Sequence, residues 1–234
     1  MGTSTARRGP STGAWRYAKG VATRYLSPEG AAPVEAREVV RRYVAALQET
    51  GTGRGQDLLA EFRVIRKAAQ YLGEFGDTAA TSGCAAALAA WELDTLAQSP
   101  PEAAIMGLTS AWVEESGGLE AQVARTALAK GLAKVFTSES AIKFRCDGPA
   151  LVRTFLADAL CQRLILDLGE SLEAAAPGCP EYRHGLARLE HELQAASVAP
   201  PENPPQAGQW QGLAGWLWTT EVLKNILKTF KGLS

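Results

Sequence analysis

Histidine is almost missing from this chain, which has only His184 and His191 among 234 residues. Seven residues apart on one helical pattern, they stand roughly 10 Å from each other along the axis, too far for both to ligate one metal directly. With so little imidazole, no serine or cysteine triad is suggested. Arg183 and Arg188 are at the wrong distances from His191 for a helical ribonuclease of the HEPN kind, and no arginine precedes His184 correctly. Cysteine is also scarce: Cys84, Cys146, Cys161 and Cys179 contain no C-x-x-C, which argues against a zinc site or disulfide framework and for buried free thiols. No run approaches the ~20 apolar residues of a membrane span, and no apolar stretch follows Arg7-Arg8 as a secretory or twin-arginine signal requires. A cytoplasmic location is expected. Met-Gly at the start falls short of the myristoylation pattern, because position 6 is Ala6. With a net charge of −1 and a pI of about 6.2, the chain has no global positive field, so direct nucleic-acid binding is not expected. The glycine-rich stretch from Gly51 to Gly55 has neither a preceding strand nor a Gly-Lys-Ser/Thr ending, so it reads as a helix connector and not as a phosphate cradle. The acidic pairs Glu114-Glu115 and Asp167/Glu170 have the spacing of solvated helix faces. The chain is therefore expected to be non-catalytic, with no metal and no cofactor of its own.

What is present is helical periodicity. At 46% hydrophobic residues the chain can bury a sizeable core, and alternating β-branched runs are missing, so the class is all-α: an irregular multi-helix bundle. Residues 1–13 lack apolar periodicity and are rich in Gly, Ser, Thr and Pro, which predicts a disordered N-terminal arm. Residues 14–196 form the expected bundle. Its helices are predicted over 13–26, from about Pro33, over 56–74, 81–97 and about 100–115, and over 119–136, 150–172 and 181–196. Ser99-Pro100-Pro101-Glu102 reads as a helix start with Ser99 capping. Residues 197–208 are a Pro-rich linker, and 209–234 carry a C-terminal amphipathic helix with Leu213, Trp216, Leu217, Leu223, Leu227 and Phe230 opposite Lys224, Lys228 and Lys231.

Several short motifs occur in a distinctive order: Met1-Gly2-Thr3-Ser4, Gly9-Pro10, Trp15-Arg16-x-Ala18-Lys19, Arg24-Tyr25, Tyr43-Val44, Leu119-Glu-Ala-x-x-Ala-Arg125 and Arg163-Leu-Ile-Leu-Asp-Leu-Gly169. Together they resemble the QatB family, a component of the Qat anti-phage defence system. Family members commonly carry a longer proline-rich segment before the tryptophan helix, whereas here Pro10 leads almost directly to Trp15; both the four-gene system and a shorter relative fit. The resemblance implies a QueC-like partner, QatC, with an ATPase and a TatD-like nuclease of the same system as further candidates. QueC-like enzymes use ATP to activate a 7-deazaguanine carboxylate and transfer it to an amine. The resemblance implies that this amine can be a protein N-terminus, here Gly2 after removal of Met1.

The arm suits such a role. A Gly2 amine with a pKa of about 8 has a useful neutral fraction at cytosolic pH. Glycine brings no Cβ into a narrow tunnel, and a dozen extended residues reach roughly 40 Å. Met1, Gly2, Thr3, Ser4, Arg7, Arg8 and Trp15 are the expected partner-binding residues, with the two arginines on an acidic rim. A second reading makes the protein a membrane-surface or scaffold effector that acts through Trp216, Trp218, Lys224, Lys228 and Lys231. Packing of that helix onto the bundle or a partner is preferred over lipid, so a membrane is not an expected partner.

Overall fold

Apolar periodicity sets the helices of the computed structural model, which describes residues 12–27, 34–53, 58–114, 118–136, 147–198 and 201–231. Helix α1 spans Gly13–Leu26, as its stripe of Trp15, Ala18, Val21, Ala22, Tyr25 and Leu26 dictates. Thr12 stands at its N-cap without a side-chain cap bond, and Ser27 ends it in extended conformation. Helix α2, Ala36–Gly53, carries on through Gly51 and Gly53, where a connector was expected; Pro33 lies outside the described residues. A 3-10 turn, Leu58–Phe62, leads into α3, Arg63–Ser82.

The single helix expected over 81–97 is instead three pieces. Gly83 at φ 86° ends α3, α4 covers only Cys84–Ala89, and Glu92 at φ 58° turns the chain into a 3-10 turn, Asp94–Gln98. The N–H of Leu93 bonds the carbonyl of Leu88 and closes that reversal. Helix α5, Pro101–Trp112, begins with Pro at its first position, but its N-cap is Pro100 and not Ser99, which belongs to the end of the preceding turn. Helices α6 (Gly118–Phe136), α7 (Gly148–Ala175), α8 (Cys179–Ala196) and α9 (Leu213–Thr229) complete the order, and the described residues contain no strand. The fold is all-α.

The chain divides into two compact units. One takes in Met1–Ala60, Leu164–Glu192 and Phe230–Ser234. There α1 lies against α2, with Trp15 edge-on to Tyr43 at 5.8 Å, and Leu164, Leu168, Leu172 and Leu189 are fully buried. The other takes in Glu61–Arg163 and Leu193–Thr229. Helix α3 contacts α4, α6 and α9, and burial of Ile65, Ala69, Leu72 and Phe75 leaves it almost no apolar residue facing water.

Candidate functional site

The residues expected to present an amine sit just ahead of α1. Met1, Gly2, Thr3, Ser4, Arg7 and Arg8 lie outside the described residues, so the description begins at their point of attachment. That point is held firmly. The Trp15 indole is 2% exposed, and the Tyr43 ring against it passes the constraint on, since the Tyr43 hydroxyl donates to Asp167 at 2.9 Å. Asp167 is thus a fixed acceptor on α7 and not only part of a solvated face. At the other end of α1 the Tyr25 hydroxyl donates to the Gly185 carbonyl at 3.0 Å, and Arg188 covers its ring at 4.8 Å. Burial pushes the Tyr25 phenol pKa up despite that guanidinium.

Trp15, expected at a partner surface, faces inward. The aromatic side chain that α1 offers to solvent is its neighbour Tyr17, 49% exposed, with the Arg42 guanidinium 4.5 Å over its ring. Arg42 and Arg41 both hold Glu38, through contacts of 2.7 and 2.8 Å, and the hydrogen bond from Arg41 keeps the Glu38 carboxyl below the usual glutamate range. Sequence reading missed Tyr17, Arg41 and Arg42. The available signal was that positions 16, 17, 20, 23 and 24 fall opposite the apolar stripe, and neither arginine nor tyrosine on such a face announces a role.

The C-terminal candidates are placed differently. Trp218 is buried, together with Val222, Leu223, Ile226 and Leu227, whereas Leu213 and Leu217, expected inward, are exposed. The buried face is rotated from the expected one because α9 turns towards α3. Trp216 is half-buried beneath the Arg66 guanidinium at 3.9 Å, and Arg66 also donates to Thr220. Lys224, Lys228 and Lys231 are exposed, and Lys228 lies 3.5 Å from Glu221.

The segment before α9 is pinned to α3 by polar groups one turn apart. Gln70 donates to the carbonyls of Trp210 and Gly212, Glu74 accepts from the Gly208 N–H, and Asp77 accepts from the Trp210 indole at 2.6 Å and the Gly148 N–H at 2.8 Å. Asp77 and Asp147 also line a cleft of about 710 Å³ whose walls mix Asn203, Gln206 and Gln209 with Pro204 and Pro205. One oxygen of Asp147 caps the N–H of Ala150, so both carboxylates take part in holding the start of α7. The acids of the cleft thus already serve donors of the fold.

His184 and His191 are exposed, and no group of acids, cysteines and histidines suited to a metal occurs among the described residues. Cys161 is buried, as expected of a free thiol, while Cys179 is exposed; burial raises the pKa of the half-buried Cys84 and keeps it a poor nucleophile. Asp158, fully buried, is paired with Lys130 at 3.2 Å and Lys134 at 3.4 Å and accepts from Gln194, which ties α6, α7 and the end of α8 together. Among the described residues no helix is long and apolar enough to cross a membrane.

Residues 56–195 match a family model described as Qat anti-phage system associated protein QatB. The chain belongs to the QatB family. Membership makes it a component of an anti-phage defence system, in a family described as system-associated. Neither a curated protein nor a solved structure matches it. The QatB match takes in α3 to α6, all of α7 and nearly all of α8, including the Leu119–Arg125 and Arg163–Gly169 motifs, while the Met-Gly-Thr-Ser start, α1, α2 and α9 lie outside it.

Proposed function

We propose that this QatB family member presents its N-terminal Gly2, freed by removal of Met1, as the amine acceptor for a QueC-like enzyme of the same defence system. The neutral amine attacks the carboxyl carbon of an adenylated 7-deazaguanine carboxylate; an amide bond forms, AMP leaves and the amine proton is lost. ATP and the deazaguanine derivative belong to the partner. The observation that carries the reading, beside family membership, is the anchoring of α1. Trp15, Tyr43 and Asp167 fix the attachment point of the arm, so a bound body holds the amine at high local concentration near its acyl donor.

A lipid-facing role for α9 through Trp218 would require that buried ring to leave the interior, where it lies with Val222, Leu223, Ile226 and Leu227. AMP release tests the proposal: the purified chain, the QueC-like enzyme, ATP and the deazaguanine carboxylate are mixed, and release should rise with chain concentration. A chain whose Gly2 amine has been acetylated beforehand should support none. Equal AMP release from the acetylated chain would refute the amine role.

A further inference from the structure

We propose that the outward face of α1, with the adjoining edge of α2, is the docking surface for an acidic patch on the enzyme that receives Gly2. The proposal rests on the presenting role above and adds the surface through which it operates. Arg16, Tyr17, Gly20, Thr23 and Arg24 are all exposed and fall within about a third of the helix circumference, given 100° per residue. Arg41 and Arg42 of α2 extend this face on the Tyr17 side, their side chains 40% and 34% exposed. Arg41 and Arg42 share the Glu38 carboxylate, while α1 contributes Arg16 and Arg24 and no acid.

This excess is local. The whole chain has 25 acids and 24 bases, whereas α1 contains Arg16, Lys19 and Arg24 and no acid. The composition is that of an interface centre, where tyrosine and arginine are enriched because they bring rigid area and directed donors at low entropic cost. At the middle of the face Gly20 carries no side chain, and a Cβ built there would meet nothing within 4 Å, while the Arg24 Nε donates to the Gly20 carbonyl at 3.4 Å. A carboxylate from a partner can therefore approach the helix at Gly20 and pair with the remaining guanidinium N–H groups of Arg24. The occupant is tethered beside this face, because the arm that delivers Gly2 joins α1 at Thr12, one turn from Arg16. A pI of about 6.2 argues against nucleic acid as that occupant.

Gly20→Glu tests this without endangering the fold: the site is open, and a glutamate favours the helix more than a glycine does. Affinity of the full chain for the QueC-like enzyme is measured for wild type, Gly20→Ala and Gly20→Glu, with the N-terminal mass of each after co-expression. Gly20→Ala should bind like wild type. Gly20→Glu should bind at least tenfold more weakly, and wild-type affinity should fall as salt is raised. Equal binding and modification of Gly20→Glu would overturn the docking surface and leave the amine role standing. A wild-type chain that neither binds nor gains mass would overturn both. Binding of duplex DNA or RNA that Gly20→Glu abolishes, with enzyme binding unchanged, would assign the face to nucleic acid and also overturn the proposal.

Discussion

The two ends of the chain are each anchored by one fully enclosed tryptophan, and the difference lies in what the neighbouring helix then shows to water. At the N-terminal end the Trp15 ring packs edge-on to Tyr43, whose hydroxyl donates to Asp167, and the outward face of α1 has arginines and no acid. At the C-terminal end the Trp210 indole bonds Asp77 directly, and Gln70 and Glu74 hold the backbone beside it. The exposed side of α9 mixes Lys224, Lys228 and Glu221 with Leu213 and Leu217. The C-terminal segment therefore spends its polar groups on its own fold, whereas α1 keeps its charges facing outward, as a presenting element needs.

The strongest way to break this contrast is Trp210→Ala. It removes a fully buried ring and leaves Asp77 short of a donor, so it should destabilise the protein by about 4–5 kcal/mol, at the top of the range for such truncations. Urea unfolding followed by circular dichroism measures this. Trp15→Ala removes a ring only 2% exposed and packed edge-on to Tyr43, and should cost about 3–5 kcal/mol in the same unfolding measurement. A milder test concerns the support of α3. Glu120 accepts from the N–H groups of Val64 and Ile65 at 2.6 and 3.2 Å, and burial raises its pKa despite those bonds. The folded state therefore holds the Glu120 proton more tightly than the unfolded state, and this group's stability contribution falls as pH rises from the ordinary glutamate range through the raised value. Glu120→Gln, which can still accept both bonds, should flatten that part of the urea-midpoint profile. The smallest effect belongs to Lys228→Ala, where loss of an exposed pair at 3.5 Å should change stability by less than about 0.5 kcal/mol in a thermal melt.

Helix positions were legible where large apolar residues recur at helical spacing without an internal break. Gly13–Leu26 and the stretch ending at Phe136 follow directly from their periodicity. The prediction failed where glycine or alanine carries the information. Gly73 and Gly76 lie inside α3 because Trp210 packs against the first and Leu151 and Gly148 against the second, at 2.8 and 3.0 Å from where a Cβ would stand. The alanine-rich stretch after Thr81 looks helical throughout, but its left-handed Glu92 breaks it, and no local pattern foretells that. The described residues from 201 to 212 form no helix, and their hold on α3 depends on Asp77, 133 positions from Trp210. Site legibility divides similarly: the absence of paired imidazoles told against histidine chemistry, whereas the exposed arginine face required knowing which side of α1 the core had taken.

The central claim is that Gly2 becomes acylated, and the most direct measurement is the intact mass of the chain purified from cells expressing its native gene neighbours. The account predicts a mass gain over the Met1-processed chain, localised to Gly2 by fragmentation and lost when the QueC-like enzyme is inactivated. An unmodified Gly2 in a chain recovered bound to an active QueC-like enzyme would contradict it.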